Sequence, residues 1–226
     1  MLLTGNFLSI FYKTVGEGDD AYFIPSMAGY AAIVLFLIIL LLVISFVSGE
    51  KKFNAKQLVF AAMSLALASV FSMIKLIHMP MGGSITLFSM LFVTLVGYWY
   101  GIKAGVVAAI AYGFIQLMMG PYIIHPLQMC VDYIFAFGAL GLSGIFSGKK
   151  YGLVVGYWIA ILGRLAFSFL SGMIFFGSAS ADYNMLPAVY SLLYNGGYIV
   201  GEGILTTILL VIPPVKKGID KIGKMK

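Results

Sequence analysis

Gly120-Pro-Tyr-Ile-Ile-His-Pro-Leu-Gln-Met-Cys-Val-Asp132-Tyr133 gathers a histidine, two tyrosines, a glutamine and a carboxylate between two long apolar segments, near 102–119 and 128–147. A polar island in that setting lies at or just inside a membrane boundary. Ionisable groups at membrane depth are costly and by default mark a ligand or ion site. A second polar and aromatic stretch, Phe176 to Asn195, follows later in the chain. The expectation is that the two stretches meet and enclose one small-molecule pocket.

Composition sets the class around this island. The 226 residues are 62% hydrophobic and 10% charged, with a mean hydropathy of +1.04. One soluble core of this size cannot hide that much apolar surface, so the chain is an integral membrane protein. Long apolar runs specify helices, because the strands of a membrane barrel would alternate in hydrophobicity. The formal charge of +6 comes largely from lysines clustered beside apolar segments. That is a membrane-orientation signal and not a nucleic-acid footprint. The single cysteine, Cys130, excludes an intrachain disulfide and a cysteine-based metal cluster.

Residues 1–26 are mixed, an apolar start followed by Gly16-Glu-Gly-Asp-Asp20, without the features of a signal peptide. Seven apolar segments follow, near 27–48, 57–77, 84–100, 102–119, 128–147, 153–176 and 188–213, each read as one membrane span. Tyr100-Gly-Ile-Lys103 joins the third and fourth so tightly that they form a helical hairpin. Lys51, Lys52, Lys56, Lys103, Lys149, Lys150 and the lysines from Lys216 to Lys226 all fall on one face when seven spans are threaded. Positive loops are cytoplasmic, so the chain is expected to run N-out and C-in, with the 79–84, 120–126 and 177–187 loops together on the outer face.

Among the candidate residues, Asp132 stands about one turn inside its helix, with Gln128 one turn earlier on the same face and Tyr133 adjacent. Its carboxylate suits a cationic or hydrogen-bond-donating ligand; the alternative is a structural ion pair with Arg164 or Lys75. Arg164 lies mid-span, where a pocket-tuning or structural role is expected, and Lys75 reads as snorkelling to the interface. Glu202, between Gly201 and Gly203, is also mid-span and is assigned to a partner contact or a proton path, outside the pocket. Tyr122, Phe176, Tyr190, Tyr194 and Asn195 together form a stacking set for a flat ring. Two histidines, His78 and His125, without a nearby carboxylate pair give no metal site. Ala62 and Ala66 lie on a small-residue stripe through which another helix can approach. The chain has no phosphate-binding loop of the Walker type, no nucleophile elbow, no zinc-protease motif and no internal repeat. What remains is a binder, or a transport subunit that borrows its energy.

Three stretches carry a resemblance: 120–137, Ser171-Gly-Met-Ile-Phe-Phe-Gly-Ser178 and Val189-Tyr-Ser-Leu-Leu-Tyr-Asn-Gly196. They resemble, in order and spacing, the thiamine-specific substrate-binding (S) components of energy-coupling factor transporters, over about Lys56 to Pro214. The resemblance implies a six-helix vitamin-binding bundle serving a transmembrane coupling protein and two cytoplasmic ATPases. It carries the pocket carboxylate onto Asp132 with Tyr133 beside it, the loop tyrosine onto Tyr122, the stacking aromatic onto Phe176, and the last pair onto Tyr190 and Asn195. Ala62 and Ala66 match the surface that docks on the coupling protein. Three positions depart from the family: Asp132 where glutamate occurs, Ser168 where a pocket histidine occurs, and a Pro80–Ser84 loop without tryptophan.

The expectation is therefore an all-α membrane protein: a six-helix bundle over 56–226, and an N-terminal segment, 1–55, carrying one extra helix at 27–48. It is read as a multi-pass cell-membrane protein and not an enzyme. Its pocket residues are Asp132, Tyr133, Tyr122, Phe176, Tyr190, Asn195, Gln128 and Ser168. It needs no cofactor of its own, ATP being hydrolysed by partner subunits. The residues leave open an S component for a thiamine precursor or another vitamin, and a stand-alone proton-coupled transporter using Asp132 and Glu202.

Overall fold

The computed structural model describes residues 10–16, 21–35 and 55–224. Its scaffold is a bundle of six consecutive helices: α2 (Ala55–Met73), α3 (Ser89–Tyr100), α4 (Ile102–Met118), α5 (Pro126–Phe146), α6 (Gly152–Phe175) and α7 (Pro187–Val211). A hairpin of β1 (Tyr12–Val15) and β2 (Tyr22–Pro25) precedes it, followed by helix α1 over 27–35. Most of the expected extra span, 36–48, lies outside the described residues, as do Lys51 and Lys52. Helices α2, α5 and α6 are each long and apolar enough to cross a bilayer.

The expected spans 57–77 and 84–100 need correction. Helix α2 stops at Met73, and α3 begins only at Ser89. Between them β3 (Lys75–His78) pairs antiparallel with β4 (Ser84–Thr86), around a turn in which Met81 takes a φ of 56°. The difference arises because Leu76, Ile77 and Ile85 are apolar enough to prolong a helical run, while their β-branched content also suits a strand. Helix α3 is consequently 12 residues, or about 18 Å, short of a full hydrocarbon thickness.

The α3–α4 hairpin forms as expected. It turns on Gly101, whose φ of +88° is disfavoured for residues bearing a Cβ. In the interior, Tyr112, Leu140, Tyr157, Ile161 and Ile199 are almost fully buried. Polar side chains join the helices: Tyr112 donates to Ala68 O (3.2 Å), Ser143 to Thr94 O (2.8 Å) and Trp158 to Thr207 (3.0 Å). Such bonds hold helices together where apolar burial against lipid gives no preference. The outer face of α2 exposes Leu58, Val59, Met63 and Val70, with Ala62 and Ala66 among them.

One end of the bundle is basic. There α8 (Pro213–Lys224) leaves α7 at a bend of 87°, and it is anchored by Trp99 donating to Ile219 O (3.1 Å) and Tyr98 donating to Asp220 (3.0 Å). Lys216 reaches over the ring of Tyr151, next to Lys149 and Lys150 in the α5–α6 connection. The 80–83, 120–125 and 177–183 loops gather at the opposite end.

Candidate functional site

Two helices supply ladders at four-residue spacing, which keeps side chains on one face. Helix α6 contributes Arg164, Ser168 and Gly172, and Phe176 follows at its end. Helix α7 contributes Tyr190, Tyr194, Tyr198 and Glu202, a column of about 18 Å. Together with α5 and the loops they line one cavity of about 480 Å³, within the range of small-molecule sites. All eight residues predicted for the pocket border it: Tyr122, Gln128, Asp132, Tyr133, Ser168, Phe176, Tyr190 and Asn195.

Pro126 and His125 start α5. Proline suits the first helical turn, and the His125 Nδ1 accepts from Leu127 N (3.1 Å) while its ring stacks on Phe175. His125 is thus a cap and not a wall of the cavity. From Cys130 to Phe135 the helix widens into a π-turn, a local insertion often found at functional sites, and Asp132 and Tyr133 lie on it. The Asp132 carboxylate accepts from Gln128 Nε2 (2.7 Å) and Ser171 Oγ (2.8 Å), so neutral donors hold it.

Gln128 is the hub of this corner. It is 2% exposed, donates to Tyr122 O (3.2 Å) as well as to Asp132, and accepts from Ile124 N (3.2 Å). Tyr133 completes the attachment by accepting from Tyr122 N at 2.9 Å. The 120–125 loop is therefore tied to the helix that carries the carboxylate. Tyr122 in turn lies against Phe176, with centroids 6.1 Å apart.

On the α6–α7 side, close approach depends on Gly172, where a Cβ would come within 2.8 Å of Asn195 Nδ2. The Asn195 amide donates to Ser168 O (3.1 Å) and Ser191 O (3.1 Å), and its oxygen accepts from Tyr198 (2.9 Å). Asn195 thus ties the two walls as well as bordering the cavity. Tyr183, Tyr190 and Tyr194 stack in sequence at 5.4 and 5.9 Å. The Tyr194 hydroxyl bonds to Pro80 O and accepts from Gly83 N (3.0 Å), which fastens the β3–β4 turn to α7.

Glu202 corrects the expectation that it lies outside the pocket: it borders the cavity. It is 2% exposed and accepts from Thr86 Oγ1 (2.5 Å), Ser89 Oγ (3.2 Å) and Met90 N (2.8 Å). Its seven-residue separation from Asn195 is two helical turns, a signal that places both on one face. Arg164 also lines the cavity, its guanidinium 4.2 Å over the Phe137 ring, and its Nε has no hydrogen-bond partner among the described residues. Among the described residues the interior thus holds two carboxylates and one guanidinium, while Lys75, exposed on β3, stands at the edge.

These features define the class: a multi-pass helical membrane protein enclosing an aromatic, carboxylate-bearing cavity between its helices. The sequence profile described as Thiamine transporter protein (Thia_YuaJ) matches residues 58–220. The chain is 34% identical over 150 residues to the thiamine transporter ThiT of Bacillus subtilis, covering 60% of this chain and 77% of that protein. Its fold is similar to a solved structure of ThiT from Listeria monocytogenes, with a TM-score of 0.57 and 25% identity over 74% of this chain and 96% of that one. The chain belongs to the thiamine transporter family.

Proposed function

We propose that this protein is the substrate-binding S component of an energy-coupling factor importer, and that its cavity binds thiamine. The observation that carries the reading is the Asp132 corner: a carboxylate held by neutral donors, beside Tyr122, Tyr133 and Phe176. Thiamine offers a fixed positive charge and a flat pyrimidine, which such a corner receives by charge pairing and ring stacking. Family membership, and the names of the two relatives, favour the same ligand.

In this reading residues 56–226 form the S-component domain, the basic end faces the cytoplasm and the cavity opens outward. The protein is not an enzyme and carries no cofactor. A transmembrane coupling protein docks along Ala62 and Ala66, and two cytoplasmic ATPases supply the energy. Calorimetric titration of thiamine into the detergent-solubilised protein tests the ligand. Saturable binding that weakens by about tenfold (about 1.4 kcal/mol) in Asp132→Asn supports it. A wild type that binds no thiamine overturns it. Ser168, where the family carries a histidine, favours a second reading in which a thiamine precursor is the ligand. Competition by the isolated pyrimidine half separates the two.

A further inference from the structure

The family match begins at residue 58, yet the segment before it reaches the wall of the cavity. Phe23 of β2 donates its N–H to Ile123 O at 2.5 Å, so the 120–125 loop pairs with the hairpin's second strand through an antiparallel bridge. The Phe23 side chain packs with Phe114, Leu117 and Ile123, and Tyr12 meets its ring edge-on at 4.8 Å. Ile33 of α1 joins the same cluster.

The neighbouring residue faces Tyr122. Tyr22 stacks on it with centroids 5.0 Å apart and planes at 25°, and Tyr122 then lies against Phe176. Tyr122 and Phe176 border the cavity, and Tyr22, stacked on Tyr122, does not. Tyr122 is thus held at its main chain by Gln128 and Tyr133, and at its ring by the N-terminal hairpin.

We propose that the β1–β2 hairpin is a strap on the 120–125 loop, and that Tyr22 is a positioning residue which keeps Tyr122 over the bound ligand and so slows its release. The proposal rests on the thiamine reading for its ligand and not for its geometry. A ligand that leaves past Tyr122 must displace that ring, and displacement separates the Tyr22 stack. Aromatic pairing of this kind adds to plain apolar burial, and interactions that break on opening act mainly on the dissociation rate.

The test uses the full chain in detergent with labelled thiamine chased by unlabelled thiamine. Tyr22→Ala is expected to release thiamine about three- to tenfold faster, with association changed less than about twofold. Tyr22→Phe keeps the ring and is expected to release at the wild-type rate. Wild-type release from Tyr22→Ala, or a Tyr22→Phe as fast as the alanine variant, overturns the proposal. Hydrogen–deuterium exchange of the 120–125 amides, without ligand, decides it separately. Tyr22→Ala is expected to exchange faster there and Tyr22→Phe is not, and unchanged exchange in Tyr22→Ala overturns the strap. A wild type that binds no thiamine defeats the ligand reading alone, because the exchange measurement still decides the strap.

Discussion

Replacing Gln128 with leucine separates the architecture of the carboxylate corner from its charge. Leucine keeps a side chain of comparable volume in a site that is 2% exposed, so little cavity is created. What disappears is the set of bonds to Asp132 (2.7 Å), Tyr122 O (3.2 Å) and Ile124 N (3.2 Å). The two neutral bonds contribute about 1 kcal/mol each and the one to a carboxylate about 1.5–3, so the network loses about 3.5–5 kcal/mol. Part of that loss falls on folding and part on the pose of Asp132 and the 120–125 loop. Gln128→Leu is therefore expected to melt several degrees lower and to bind thiamine at least about tenfold more weakly. Thermal unfolding and calorimetry on the same detergent preparation read both. A variant with an unchanged melting temperature and affinity within about twofold of wild type would refute the claim that Gln128 organises the site.

Two further substitutions probe the other walls. Glu202→Leu leaves the Thr86, Ser89 and Met90 donors without their acceptor and is expected to cost about 3–5 kcal/mol, with Glu202→Gln costing less because its oxygen still accepts; chemical denaturation of both variants checks the order, and equal losses would contradict it. Gly172→Ala drives a Cβ against Ser191 and Asn195 and is expected to push α6 from α7, weakening thiamine binding by about tenfold or more, whereas the exposed Gly218 of α8, with open space around it, tolerates alanine within about twofold by the same titration.

The parts of this molecule that were legible are those where one element carries the signal. Gln128 and Asp132 are one turn apart on one helix, so the helical period alone aligns them, whereas Ser168 was named only through the family resemblance. Glu202 was legible by the same rule, but the glycines on either side suggested a bend or a partner contact. The hydrogen bonds that place it come from Thr86, Ser89 and Met90, more than 110 residues away in sequence. The β3–β4 hairpin was hidden because its apolar residues fit a membrane helix as well as a strand. The N-terminal hairpin did have a local sign: Tyr12-Lys-Thr-Val15 and Tyr22-Phe-Ile-Pro25 are rich in β-formers on either side of Gly16. Its pairing with Ile123 had none, since a main-chain bridge between distant segments leaves no mark on composition.

The 87° bend between α7 and α8 makes the end of the chain a crank. Helix α7 carries Asn195 and Glu202 on the cavity, and α8 projects sideways from its far end for 12 residues, or about 18 Å. Tilting the bundle by about 10° would move the tip of such an arm by about 3 Å. Because Trp99 and Tyr98 fasten α8 to α3, the arm turns with the body and does not trail behind it. A tilt of the bundle would thus be carried into the basic end as a displacement comparable to the width of an atom.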